Sequence, residues 1–379
     1  MAGRSANLLT GGLLTIAAVS GLGVWAAITA TGPEPVIQPV MPAGKPKVAA
    51  KDPAPNIAIA ASPLGAMRDA ASEGDMDALR RHIEHGADIA ATDANGTTAL
   101  MIAVRAGHVS AAGMLLEAGA NPNAADQRGV TPLMAASAKG YGAIVRRLIA
   151  AHADTGAKAS DGASALALAA KGCFDATVAT LIEAGAKADG GTIGGQTALS
   201  LAAQTCQPQL LAALLTAGAN PGGRDAQGRG ALWHAADAGN LEAVQVLAGN
   251  KAAIDAVDSN GETALMRAVL RGSAAVAKAL IEKGADVNHT SNNGNTPLML
   301  AAKADEAEAV RDLAGHGASL NARNKFGMTP LMIAANLGSR RAVAALLESG
   351  ADAKLRTPRR ELARDLAAAA GHSDIAGLL

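Results

Sequence analysis

Asp126-Gln127-Arg128-Gly129-Val130-Thr131-Pro132-Leu133-Met134-Ala135-Ala136 decides the architecture, because its pattern returns every 33 residues. Leu133 has counterparts at Leu100, Leu166, Leu199, Leu232, Leu265, Leu298 and Leu331, with no insertion or deletion between them. Alanine holds the place three further on, at Ala103, Ala136, Ala169, Ala202, Ala235, Ala268, Ala301 and Ala334, and the register extends back to Ala70 and forward to Ala367. Ten units result. Such a period marks one small structural unit stacked many times, not a single folded globule.

Each unit reads as two short helices. Thr98 is placed as an N-cap whose hydroxyl accepts from the helix start, and proline stands at the first helical place in Pro132, Pro297 and Pro330. Gly107 stops the first helix, since glycine adopts the left-handed conformation without strain. Val109 to Glu117 form the second, with Met114, Leu115 and Leu116 expected to face inward, and Gly119 stops it. Asp93-Ala94-Asn95-Gly96 makes the tight turn of a hairpin-like loop. No unit can bury its own apolar face, so each leans on its neighbours.

This pattern resembles the ankyrin repeat family, whose motif is Asp-x-x-Gly-x-Thr-Pro-Leu-His-x-Ala-Ala followed by Gly-His. The resemblance covers residues 64–379 in register. It implies an all-α solenoid of ten helix-turn-helix units with protruding hairpin loops, acting as a non-catalytic protein-binding scaffold. The ends suit capping units, which need a wetter outer face: His82 replaces the inward leucine in the first, and Arg364 in the last.

Composition narrows the classes. The formal net charge is zero, which gives no long-range pull toward nucleic acid, and no nucleic-acid partner is expected. Aromatic residues are 1% of the chain, so base-stacking platforms lack their raw material. Residues 5–33 carry no charge, and Leu8 to Thr31 are mostly apolar. Two readings stay open for residues 1–32. One is a signal peptide leaving through Ile28-Thr29-Ala30; the other is an uncleaved transmembrane anchor, which the length favours. Both export the repeats, to a bacterial inner membrane with a periplasmic repeat domain or to the periplasm itself. Lys45, Lys47 and Lys51 follow the apolar run and argue for the reverse orientation. Residues 33–63, with Pro35, Pro39, Pro42, Pro46, Pro53 and Pro55, read as an extended tether.

Several residues are candidates for more than structure. Cys173 and Cys206 stand at the same place in adjacent units, where seven of the other eight units carry glycine and one carries Asp305. An exported chain allows a disulfide there. Helix axes about 10 Å apart argue against it, and two independent buried thiols are the alternative. Met101, Met134, Met266, Met299 and Met332 replace the family's histidine; at that spacing they fill gaps between stacked helices rather than bind metal. No histidine cluster, nucleophile–base set or phosphate loop is evident, so neither a cofactor nor an enzymatic activity is expected. The resemblance implies binding through the first helices and the hairpin tips. By position these are Arg105, Lys139, Lys171, Asp237, Arg271 and Lys303 on helices and Arg128, Lys325 and Phe326 at tips. The helix positions lean basic, which suggests an acidic partner surface. An accessory or assembly subunit of a membrane or redox complex is the remaining alternative. His152 and Lys251, where glycine normally ends the second helix, and the Gly190–Gly195 stretch mark the middle as the softer part.

Overall fold

The structure, a computed structural model, describes residues 63–250 and 252–379. The apolar segment 8–31, the tether up to residue 62 and Lys251 lie outside the described residues. Among the described residues no helix is long and apolar enough to cross a membrane.

The described residues form twenty helices in ten consecutive pairs, one pair per unit. The first four units are α1 Pro63–Glu73 with α2 Met76–Glu84, α3 Ala99–Ala106 with α4 Val109–Glu117, α5 Pro132–Ala138 with α6 Gly142–Ala150, and α7 Ala165–Lys171 with α8 Asp175–Glu183. The middle pairs are α9 Ala198–Thr205 with α10 Pro208–Thr216, α11 Ala231–Ala238 with α12 Leu241–Gly249, and α13 Ala264–Leu270 with α14 Ala274–Glu282. The last three are α15 Pro297–Lys303 with α16 Ala307–Gly315, α17 Pro330–Leu337 with α18 Arg340–Glu348, and α19 Ala363–Ala369 with α20 Ser373–Ala376. First helices pack on first helices and second on second along the array. The extended pieces among the described residues are an antiparallel pair of two-residue strands, β1 Thr192–Ile193 and β2 Gln196–Thr197, and isolated bridges at Thr92–Thr98, Arg224–Gly230 and Arg356–Leu362.

Local chemistry explains the repetition. Thr98 Oγ1 accepts from the Met101 N–H at 3.2 Å, and Thr131, Ser164, Thr197, Thr263, Thr296 and Thr329 cap their helices the same way. Each cap stabilises by about 1 kcal/mol. The leucine and alanine rows are buried throughout and form one continuous core. The five methionines are also buried in it, as gap fillers. In the second helices the inward row is narrower than expected. Leu115 is fully buried, whereas Met114 and Leu116 are half-buried, because successive helical residues point about 100° apart. At the far end Arg364 is exposed where the first unit buries Met67 and the others bury leucine, since no further unit covers it among the described residues.

Hairpins interlock as well. Asp93 Oδ1 accepts from the N–H groups of Asn95 and Thr97 at 2.8 Å, folding the tip on itself. Neighbouring tips are then joined by backbone bonds: Gln127 N–H to Asn95 O, Ser160 to Arg128, Ser259 to Gln227, Asn292 to Asn260 and Lys325 to Asn293, between 2.7 and 3.0 Å. The series shifts at Thr192 N–H to Gly162 O, and no such bond among the described residues joins the Gly194–Gly195 tip to the next. Pro358, lacking an N–H, ends it at the last unit.

The place nine residues after each cap is a contact between units. Gly140 has φ +68, and a Cβ there would stand 2.5 Å from the Phe174 ring of the next unit. Asp305 takes the same left-handed backbone, φ 56, and uses its carboxylate. It accepts from the Ala342 N–H at 2.8 Å and from Arg341 at 3.1 Å, capping α18. Cys173, φ 54, reaches Cys206 in the next unit as a disulfide with Cα atoms 5.3 Å apart. The axis spacing that argued against a bond does not hold at the turn. Pro208 keeps the preceding Gln207 extended, and Cys206 is itself extended (φ −88, ψ 160) rather than left-handed, which brings it under Cys173.

Candidate functional site

The first helices and hairpin tips share a face, which ion pairs make visible. Arg68 reaches Asp93 on the hairpin leading into the second unit at 3.0 Å, and Arg105 reaches Asp126 on the next hairpin at 2.8 Å. Burial pushes the Asp126 carboxyl up, but N–H donors from Val130 and Arg128 and the Arg105 guanidinium outweigh it, and its pKa falls below the ordinary value. Arg105 is thus a latch between units and not the free binding charge expected of it.

Units six and seven carry a denser network. The Asp225 side chain is fully buried, and its Oδ1 accepts from the Gln227 and Arg229 N–H groups of the hairpin turn, both at 2.9 Å. The other oxygen accepts from Arg229 Nε at 2.8 Å and from His234 Nε2 at 3.1 Å. Because the Asp225 carboxylate can only accept, the imidazole proton sits on Nε2; the Gln196 amide nitrogen lies 3.1 Å from that Nε2 and 3.3 Å from Nδ1. Burial holds the His234 pKa below its ordinary value, against the pull of Asp225. Burial acts upward on Asp225, yet the Arg229 N–H and guanidinium, Gln227 and His234 together lower it. Two guanidinium groups lie over the Trp233 ring, Arg229 at 5.2 Å and Arg267 at 5.0 Å from its centroid. Asp237 then binds both Arg267, at 2.5 Å, and Arg271, at 2.7 Å. Arg271 and Asp237, expected to meet a partner, are therefore committed largely to each other. Nearby, burial and the Asp258 carboxylate push the Glu262 carboxyl up.

Cavities are small or open. About 30 Å³ lies beside Trp233, among Pro221, Gly222, Leu232 and Ala253, which is room for a single water. A depression of about 270 Å³ between α4 and α6 is lined by Gly113, Leu116, Glu117 and Arg147 and lies open to solvent.

Comparison with protein families finds ankyrin repeats (3 copies) over residues 67–159, 133–225, 207–291 and 288–357. The chain belongs to the ankyrin repeat family. No curated protein matches it. Ankyrin repeats mediate protein–protein interactions, and the array is suited to be a protein-binding scaffold.

What the ankyrin array leaves open on this face is a shorter set than the sequence offered. Lys139, Lys171, Lys303, Arg128 and Lys325 are exposed and have no ion-pair partner within 4.0 Å among the described residues. Phe326, 69% exposed at its hairpin tip, is the most exposed large apolar side chain described. Trp233 is 7% exposed and serves the stack. Sequence reasoning missed the network of units six and seven. Its one legible signal was the Asp225–Arg229 spacing within a hairpin; the contacts to Trp233, Arg267 and Asp237 exist only once units are stacked.

Proposed function

We propose that this ankyrin chain is a non-catalytic scaffold that holds another protein against its first helices and hairpin tips, outside the cytoplasm, tethered to the bacterial inner membrane by residues 8–31. The observation that carries the binding role is the face shared by first helices and hairpin tips, on which Lys139 and Lys171 stand exposed at helix ends and Arg128, Lys325 and Phe326 at tips. Acidic groups on the partner suit these cations. Export is supported by the apolar, uncharged run near the amino terminus and by the Cys173–Cys206 bridge, a bond that persists in oxidising compartments.

A cleaved, freely soluble periplasmic form is the second reading, favoured by the Ile28-Thr29-Ala30 exit; an accessory or assembly subunit of a membrane or redox complex is the third. Amino-terminal sequencing of the mature chain from fractionated cells tests them. A chain starting at Met1 in the membrane fraction supports the tether. A start near Thr31 in the soluble fraction supports the cleaved form. Alkylation of both cysteines in intact cells without reductant overturns export.

A further inference from the structure

The hairpin acid is absent at Ala159, Thr192, Ser291, Asn324 and Thr357, but at one place alone among the described residues do two neighbouring first helices both end in an unpaired lysine, since Lys303 is followed by Asn336. Arg68 finds Asp93 and Arg105 finds Asp126, but the corresponding hairpin place is Ala159 leading into unit four and Thr192 leading into unit five. Lys139 and Lys171, at the ends of the first helices of units three and four, therefore have no acid to receive them. Asp161, the acid at the intervening tip, accepts from its own Ala163 N–H at 3.0 Å. Beside these lysines runs an apolar row four residues after each cap: Ile102, Ala135 and Leu168 are half-buried and Leu201 is 6% exposed. The row is interrupted at His234 and Arg267, which pair with Asp225 and Asp237, and resumes at Leu300 and Ile333.

Resting on the scaffold reading above, we propose that an extended acidic segment of the partner protein lies across the first helices of units two to five, with two carboxylates on Lys139 and Lys171 and an apolar side chain between them on Ala135 and Leu168. Packed helices lie about 8–10 Å apart. A polyproline-II segment rises about 3.1 Å per residue with three residues per turn, so residues i and i+3 share an edge about 9 Å apart. Carboxylates three residues apart in such a segment therefore match neighbouring first helices. Units six and seven offer no comparable site, since their arginines already hold Asp225 and Asp237.

The probe is a fluorescein-labelled peptide of repeated Glu-Leu-Pro triplets, titrated with the detergent-solubilised full chain and read by fluorescence anisotropy. Saturable binding is expected, weakened more than about tenfold by Lys139→Glu with Lys171→Glu and unchanged by Lys303→Glu. Equal binding of the Gln-Leu-Pro peptide, or equal weakening by Lys303→Glu, overturns the proposal. Capture by anionic lipid vesicles that depends on the two lysines, without peptide binding, overturns it in favour of a membrane surface. A photo-crosslinker separates this site from the scaffold reading. Leu168→p-benzoylphenylalanine is expected to capture a protein in cells, with the capture competed by the Glu-Leu-Pro peptide. Capture only from Ile333→p-benzoylphenylalanine rejects the location and keeps the scaffold; capture from neither rejects both.

Discussion

His234 donates through Nε2 to Asp225 Oδ2 at 3.1 Å, and both side chains are almost wholly removed from solvent. Burial keeps the folded-state pKa of His234 below 6.5. Below that pH the unfolded chain binds a proton that the folded chain refuses, so this stability is complete above 6.5 and is lost progressively as pH falls from 6.5 to the folded value. Asp225, also depressed, adds a loss of the same sign at lower pH, beginning near 3.8. Urea unfolding of wild type and His234→Gln at about pH 7.5 and 5.5 checks this: the variant is expected to show the smaller drop. An equal drop in both places the acid sensitivity elsewhere.

Reduction of the Cys173–Cys206 bridge opens a 33-residue loop, and the chain-entropy relation gives a loss of about 4 kcal/mol. Melting with and without reductant measures it, and Cys173→Ser with Cys206→Ser is expected to match the reduced form. Thiol counting on the denatured, unreduced chain should find no free thiol.

His152 and Asp305 share a left-handed backbone, φ 64 and 56, yet respond oppositely to glycine. His152→Gly relieves a conformation that costs a side chain about 1–2 kcal/mol and is expected to stabilise. Asp305→Gly gains the same relief but loses the cap on Ala342 and the ion pair with Arg341, and is expected to be neutral or destabilising. Chemical unfolding of the two variants decides it.

Hydrogen exchange is expected to be fastest, among the hairpins, at Gly190–Gly195, where the series of backbone bonds between tips shifts and is then broken before it resumes at Ser259. Slowest exchange there contradicts this.

The period alone made the ten helix pairs legible, because Leu100 and its counterparts keep one register with no insertion to blur it. Thr263 could be read as a cap for the same reason: a cap is a local event, settled within three residues. The binding face was less legible. Arg105 and Lys139 look alike in sequence, both basic and near the end of a first helix. For Lys171, which stands at the same place as Arg105 seven residues after its cap, the identity of the facing hairpin residue, Thr192 in place of Asp126, separates a free charge from a latch; Lys139 sits one place further on, at the C-cap. That comparison needs the stacked neighbours. So did the cysteine pair, whose Cα separation is set by the extended turn before Pro208 rather than by helix spacing.

The bridge between units four and five also sets how this array answers a mechanical load. A solenoid drawn out from its ends surrenders its units in sequence, each releasing its own length. The stretch from Cys173 to Cys206, a sequence separation of 33, is withheld from that extension, about 110 Å of chain at roughly 3.3 Å per residue. An oxidised array therefore stops short of its full contour by that amount, and a reductant restores it.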